Sequence, residues 1–220
     1  MIYRFKNREE AGILLGKALK EKYPNLNRTN AVILAIPRGG VPVAYYVAKE
    51  TGIPFSVVIT KKITSPSNPE AALGAVSVDG SFILSELAKT LFPMEALEAF
   101  TKDAYIEALR RVEKYQVSNP DLKGKTVIII DDGVATGYTA IASALYARNK
   151  GADKVILAVP VCPVDSLQKI KEYFDDIICL EPVDTPMFAV GAFYEDFHQV
   201  EDDEFFSYIE KAKKENLLAE

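Results

Sequence analysis

Asp131 and Asp132 follow directly on the apolar run Val127-Ile128-Ile129-Ile130, and a short distance beyond them stands Thr136-Gly137-Tyr138-Thr139. Two adjacent carboxylates suit the hydroxyls of a sugar, or a Mg²⁺ that offsets the charge of a phosphorylated ligand. The Gly/Thr stretch suits the phosphate itself. It opens a segment of helical composition, Thr139-Ala-Ile-Ala-Ser-Ala-Leu-Tyr-Ala. Unpaired N–H groups and the positive end of the dipole at a helix start hold an anion well. Gly137 lets the main chain approach closely, and the Thr136 and Thr139 hydroxyls add donors. Carboxylates repel phosphate, so the ligand must present its phosphate and its polyol or metal-bound part at separate places.

A run of β-branched residues before the carboxylates reads as a fully buried strand, which makes the motif a strand-loop-helix unit. A second anion-ready turn, Pro37-Arg38-Gly39-Gly40, links a strand at Ala31–Ile36 to a helix beginning at Val41 and closed by Gly52. A helix over Arg8–Lys22, capped by Asn7 with Glu10 three residues on, precedes them. A further strand over Phe55–Thr60 ends at Lys61-Lys62. After Asp131 the pattern predicts helix 137–149, strand 154–159, helix 164–173 and strand 176–180. Strands alternating with helices imply an α/β fold with an open, mainly parallel sheet flanked by helices, whose ligands bind beyond the carboxyl ends of the strands. Both glycine-bearing turns and the lysine pair are expected there.

Between residues 63 and 125 the alternation is lost. Ser65-Pro-Ser-Asn-Pro-Glu70 reads as a loop, Gly74–Leu84 as a hairpin turning at Asp79-Gly80, and Met94–Gln116 as a long helix. The charged stretch Glu107–Tyr115 reads first as a solvated face or a subunit contact. With 220 residues, 49% of them hydrophobic, one domain with this segment inserted in it is the expectation. The formal charge of −5 argues against a general nucleic-acid surface. Cys162 and Cys179 read as buried reduced thiols. The charged first ten residues lack an apolar signal core, and no run is long enough to span a bilayer, so a soluble cytoplasmic protein is expected. Neither G-x-G-x-x-G nor the G-x-x-x-x-G-K-[ST] loop occurs.

The segment Asp131-Asp132-Gly133-Val-Ala135-Thr136-Gly137-Tyr138-Thr139 resembles the ribose-phosphate signature of the type I phosphoribosyltransferases, enzymes that use phosphoribosyl diphosphate. The resemblance covers nearly the whole chain. It implies that Asp131 and Asp132 contact the ribose hydroxyls, with Mg²⁺ as cofactor held by them directly or indirectly, and that Ala135–Thr139 surround the 5-phosphate. Arg38-Gly39-Gly40 matches the diphosphate loop, which in that family often contains a non-proline cis peptide. Lys61 and Lys62 match a basic pair facing the leaving diphosphate. The insertion matches a lid that excludes water during reaction.

Late in the chain, Leu180–Phe197 is similar to the base-binding hood of hypoxanthine-guanine phosphoribosyltransferases. Phe188 takes the place of the residue stacked on the purine, Val190 offers backbone groups to the base edge, and Glu195 or Asp196 matches a downstream carboxylate. Stacking a base on an aromatic ring is worth about 1–3 kcal/mol. Phe193, Tyr194 and Phe197 read as core aromatics. Two departures stand out: Ala135 replaces an aspartate that exchanges a proton with the purine, leaving Glu70 in the lid as a weak substitute, and no lysine follows Val159-Pro-Val-Cys162 to read a base oxygen. The overall pattern resembles small phosphoribosyltransferases without an agreed acceptor.

The resemblance implies displacement at the ribose anomeric carbon by a nitrogenous base, purine-like in shape, with diphosphate leaving. A sensor that binds phosphoribosyl diphosphate or a nucleotide without turnover, and a hydrolase cleaving a nucleotide glycosidic bond, are the alternatives. Members of the family are commonly dimers or tetramers. His198 is too isolated for a metal or triad role, and Glu201–Glu220 reads as a charged helix packed through Phe205, Phe206 and Ile209.

Overall fold

The computed structural model describes residues 4–220; the first three residues of the amino-terminal segment considered above lie outside them. Helix α1 (Arg8–Lys22) leads to β1 (Ala31–Ala35), α2 (Gly40–Thr51) and β2 (Phe55–Val57). The inserted elements follow: β3 (Thr60–Ile63), β4 (Gly74–Ser77), β5 (Phe82–Leu84), α3 (Glu86–Leu91) and α4 (Met94–Tyr115). The chain then returns through β6 (Thr126–Ile130), α5 (Tyr138–Asn149), β7 (Lys154–Pro163), α6 (Val164–Ile170), β8 (Asp176–Val183) and α7 (Asp202–Lys214). Strands β2-β1-β6-β7-β8 form one parallel sheet, and β3-β4-β5 form a second, antiparallel one.

The unbroken apolar runs of β1 and β6 follow from burial on both faces. Ile33, Ala35, Ile128 and Ile130 pack with residues of α1, α2 and α7, while Val32, Leu34, Val127 and Ile129 pack with residues of α5 and α6. Because β1 leads to a helix on one face and β6 to a helix on the other, a crevice opens where these adjacent strands end, as at the switch point of doubly wound sheets. Ile36 N–H donates to Ile130 O at 2.9 Å and ties the two ends together.

Helix α1 begins where expected. The Asn7 side chain accepts from Glu10 N–H at 2.9 Å. Its seat against α2 depends on two glycines. A Cβ at Gly12 would lie 2.7 Å from Val43 O, and one at Gly16 would lie 2.6 Å from Glu50 Cβ. Their absence of side chains brings the first turn of α1 over the ends of the strands.

Three expectations need correction. The run expected as one strand to Thr60 divides at Val58-Ile59, both buried, and Lys61 and Lys62 fall inside β3 of the antiparallel sheet. Continuous burial hid the crossing between sheets from the hydrophobic pattern. The inserted region also holds α3, capped by the Ser85 side chain on Ala88 N–H at 3.0 Å. The last helix stops at Lys214, Asn216 turns the chain with φ of 57°, and Leu217–Ala219 run back along β2. There Phe55 N–H donates to Leu217 O at 2.9 Å and Ala219 N–H to Phe55 O at 2.8 Å, so the sheet edge is covered rather than open. Phe205 is fully buried on the domain, whereas Phe206 is 38% exposed.

The hairpin turning at Asp79-Gly80 and the long helix appear as expected, around their own small core of Ile63, Leu73, Val76, Leu84, Leu97 and Ala104. That sheet docks on α5, and Asn149 Nδ2 reaches Asp79 Oδ2 at 3.1 Å and Ser81 Oγ at 2.7 Å. Cys162 is buried and Cys179 partly so; both are free thiols, with Sγ atoms 2.8 Å apart. Among the described residues no helix is long and apolar enough to cross a membrane.

Gly12→Ala is expected to lower unfolding stability by about 1–3 kcal/mol, since the new methyl meets backbone that cannot rotate aside. Chemical denaturation checks this, and an unchanged midpoint would show that α1 is not seated through Gly12.

Candidate active site

Asp131 and Asp132 stand just past the end of β6, against the loop that follows β1. A Cβ built on Gly39 would lie 2.1 Å from Asp132 Oδ2, and one on Gly40 would lie 2.8 Å from Ile130 O. The two glycines are therefore required by the approach of one loop to the other. The Asp132 N–H donates to Asp131 Oδ1 at 2.8 Å. Arg8, at the start of α1, donates to Asp132 Oδ2 through Nε and Nη2, each at 3.1 Å. Burial raises both carboxyls above the ordinary carboxylate range. Asp131 is raised further because the Asp132 charge adds to burial, while Arg8 offsets part of the effect at Asp132.

Beyond the acid pair the chain turns into α5. Val134 N–H donates to Val161 O at 3.0 Å, and Ser166 Oγ donates to Ala135 O, so neighbouring strand and helix fix the loop. Gly137 adopts φ of +90°, and a Cβ there would lie 2.6 Å from Ile170 Cγ2, so both conformation and space demand glycine. Among the described residues the N–H groups of Ala135, Thr136, Gly137, Tyr138 and Thr139 find no protein acceptor. Five unpaired donors thus converge at a helix start, where the dipole is positive and an anion is well held. Ala135 and Thr136 are exposed, so the cradle is open to solvent.

In the loop after β1 the Pro37–Arg38 peptide is cis, as the resemblance implied. The N–H groups of Arg38 and Gly39 also find no acceptor among the described residues. The Arg38 guanidinium, in contrast, is engaged away from the acid pair. Its Nη1 lies 3.2 Å from Asp202 Oδ1, and Asp202 also holds Lys114 Nζ at 2.7 Å and the Tyr115 hydroxyl at 3.1 Å. Asp202 thus joins the start of α7, the end of α4 and this loop.

The two lysines lie on opposite faces of β3 rather than side by side. Successive residues of a strand face opposite ways. Lys61 shares a face with Ile63 and Val76, toward α4, where burial and then Arg111 push its ammonium below the ordinary value. Lys62 lies opposite Ala75 and, through it, Ile83, whose side chain packs into the cluster containing α5. Only Lys62 is on the sheet face turned to the cradle helix.

The segment from Phe188 to His198 folds back over the acid loop. Phe188 stacks on Phe193 with centroids 5.6 Å apart and rings 26° from parallel, and both rings are half-buried. Val190 covers Gly133, where a Cβ would lie 2.5 Å from the Val190 Cγ1. Tyr194 is 1% exposed and its hydroxyl donates to Asp132 O at 2.6 Å. Glu195 and Asp196 are exposed; their N–H groups donate to Phe5 O and Lys6 O, each at 2.9 Å. The Asp196 carboxylate is held by His198 Nδ1 at 3.0 Å, and His198 Nε2 lies 2.6 Å from Glu204.

Arg8 escaped the sequence reading. One signal was present: a cation in the first turn of a helix opposes the dipole and calls for another purpose. Asp202 left no such mark.

Two loops with unpaired N–H groups flank the partly buried acid pair at the switch point of a parallel sheet. The chain belongs to the phosphoribosyl transferase domain family, whose model matches residues 3–196. It is 38% identical over 206 residues to a Mycobacterium tuberculosis (strain H37Rv) protein provisionally named a phosphoribosyl transferase, covering 91% of this chain and 46% of that one. The chain thus spans about half the length of the curated relatives it matches. Among solved structures it is similar to TT1426 from Thermus thermophilus, with TM-score 0.78 and 34% identity over 94% of this chain and 98% of that one. The AQ2163 protein from Aquifex aeolicus shares the fold, at TM-score 0.52 and 16% identity, over 80% of this chain and 73% of that one.

His198, the sole histidine, is held above its ordinary value of 6.5 by its bonds to Asp196 and then Glu204. A raised folded value means these bonds contribute fully below pH 6.5 and fade as pH rises through the folded value. Proton NMR titration is expected to give a midpoint above 6.5, with Asp196→Asn lowering it; a wild-type midpoint at or below that value would remove the bridge.

Proposed function

We propose that this chain transfers the 5-phosphoribosyl group from phosphoribosyl diphosphate to a nitrogenous base and releases diphosphate. The observation that carries this reading is the partly buried pair Asp131-Asp132 between two sets of unpaired N–H groups, one at the start of α5 and one at Arg38-Gly39. Two anionic groups separated by a hydroxyl-bearing ring fit that order of parts. The α5 cradle takes the 5-phosphate, the carboxylates take the ribose hydroxyls, and the loop after β1 takes the diphosphate.

The chemistry asked of the protein is positioning and charge stabilisation rather than covalent catalysis. Positive charge that develops on the ribose as the glycosidic bond to diphosphate breaks is met by the acid pair. The departing diphosphate is met by N–H groups of Arg38 and Gly39, by Lys62, and by the Arg38 guanidinium once it leaves Asp202. Lys61 is assigned a packing role with α4. Among the described residues no cluster of three or more acidic, histidine or cysteine groups could cage a metal. The oxygen donors of Asp131 and Asp132 fit a hard divalent cation, and these two carboxylates would hold a Mg²⁺ there directly or through water. When bound, the ion offsets the charge of the diphosphate.

Phe188 and Val190 support a flat acceptor laid on the hood. Ala135 supplies no proton acceptor, so the acceptor nitrogen must lose its proton to solvent or to another group, with Glu70 in the exposed loop after β3 a candidate. Since the antiparallel sheet is pinned to α5, the part able to close over the diphosphate is that loop, residues 64–73, rather than the whole insertion. The exposed apolar side chains Phe82, Leu87, Leu91 and Met94 favour assembly into a homodimer or larger oligomer.

Calorimetric titration with phosphoribosyl diphosphate and Mg²⁺, followed by a diphosphate-release assay across purine and pyrimidine bases, tests the reading. Binding with base-dependent release is expected. Release without any base would indicate hydrolysis, and binding without release would indicate a sensor. Asp131→Asn combined with Asp132→Asn is expected to reduce turnover by at least about a hundredfold; undiminished turnover would defeat the assignment. Phe188→Ala is expected to raise KM for the acceptor by about tenfold, the equivalent of one lost stacking contact, with KM for the donor unchanged. An unaltered acceptor KM would return Phe188 to the core.

A further inference from the structure

Among the described residues Arg8 is the one charged residue with less than 9% of its surface exposed, at 7%. Each part of its guanidinium is used. Nε and Nη2 bind Asp132 Oδ2 at 3.1 Å, Nη1 donates to His198 O at 2.7 Å, and Cζ lies 4.2 Å from the centre of the Phe197 ring. These partners belong to two segments far apart in sequence, the acid loop after β6 and the end of the hood. The same segments also meet through the Tyr194 hydroxyl on Asp132 O and through Val190 on Gly133. Arg8 is the only one of these links that is charged. A lysine could not reproduce it, because a point charge lacks the planar fork and the flat face that stacks on a ring.

We propose that Arg8 is a positioning residue that clasps the hood to the acid loop, so that the carboxylate for the ribose and the segment for the acceptor are held as one unit. Its consequence for the reaction rests on the phosphoribosyltransferase reading. Donor binding that fixes Asp132 then also fixes the hood through Arg8, and by reciprocity an ordered hood strengthens donor binding.

The test uses the full chain with Arg8→Met, Arg8→Lys, Asp132→Asn and the double variant Arg8→Met/Asp132→Asn. The double variant removes both charges and avoids leaving one buried alone. In Arg8→Met, amide hydrogen exchange is expected to quicken by about tenfold or more in residues 131–135 and 193–198 together, with Arg8→Lys intermediate. Affinity for phosphoribosyl diphosphate with Mg²⁺, read by calorimetry, is expected to fall by about tenfold in Arg8→Met. Adding Arg8→Met to Asp132→Asn is expected to cost less than about twofold more, because both changes break one link. Additive losses, unchanged donor affinity in folded Arg8→Met, or faster exchange confined to α1 would each overturn the clasp. If the unaltered protein fails to bind the donor, the functional reading falls, and the exchange data alone decide the clasp.

Discussion

Two adjacent carboxylates held largely out of water at the end of a buried strand are the constraint on which the rest of this molecule depends. Burial drives both toward the neutral acid, and the Asp132 charge adds to that effect at Asp131. A site that needs them near an anion must therefore supply positive charge that does not compete with the ligand for the same face. Arg8 does so from the side, through one oxygen of Asp132, while the unpaired N–H groups supply partial charge without any ionised group. That solution dictates where α1 must lie. Gly12 and Gly16 make the approach possible, because a side chain at either position would push α1 off α2.

The same economy of space governs the loops. Gly39 and Gly40 are fixed by contact with the acid loop, Gly133 by contact with Val190, and Gly137 by contact with Ile170 together with its positive φ. None of these is a simple flexible turn. Each marks a point where two pieces of backbone, or backbone and a branched side chain, approach closer than a Cβ allows. The crevice is thus built by exclusion: helices on opposite faces separate β1 from β6 in connectivity while the backbone bond from Ile36 to Ile130 keeps their ends together.

Much of this was legible in the sequence because it is local. The strand, the glycine-bearing loop and the helix over residues 127–149 read directly, since strand burial, a positive-φ glycine and helix spacing are all properties of neighbouring residues. The mainly parallel sheet followed from alternation, and the hairpin from its Asp-Gly turn. What failed was long-range. Arg8 and Asp132 are 124 residues apart, and Arg38 and Asp202 are 164 apart, so no window holds both partners. The lysine pair misled for a different reason: an apolar run that continued through Val58-Ile59 concealed the passage from one sheet to the other, and with it the alternation that sends Lys61 and Lys62 to opposite faces.

On the phosphoribosyltransferase reading, the engagement of Arg38 by Asp202 is the arrangement a ligand would meet. Asp202 already satisfies Lys114 and Tyr115 from α4, so releasing Arg38 would not strand it without partners. An exposed ion pair of this sort is worth little, at most about 1 kcal/mol. A dianionic ligand bound to the backbone beside Arg38 offers a stronger partner than one carboxylate shared three ways. The side chain can therefore be held away from the acid pair in the free protein, where it would bias Asp131 and Asp132, and move to the ligand at small cost. The contrast with Arg8 is one of burial. Arg8, enclosed and held by three hydrogen bonds, keeps a fixed arrangement, whereas Arg38, at 30% side-chain exposure, is free to exchange partners. On the proposed reading, one cation would maintain the site and the other would answer to what enters it.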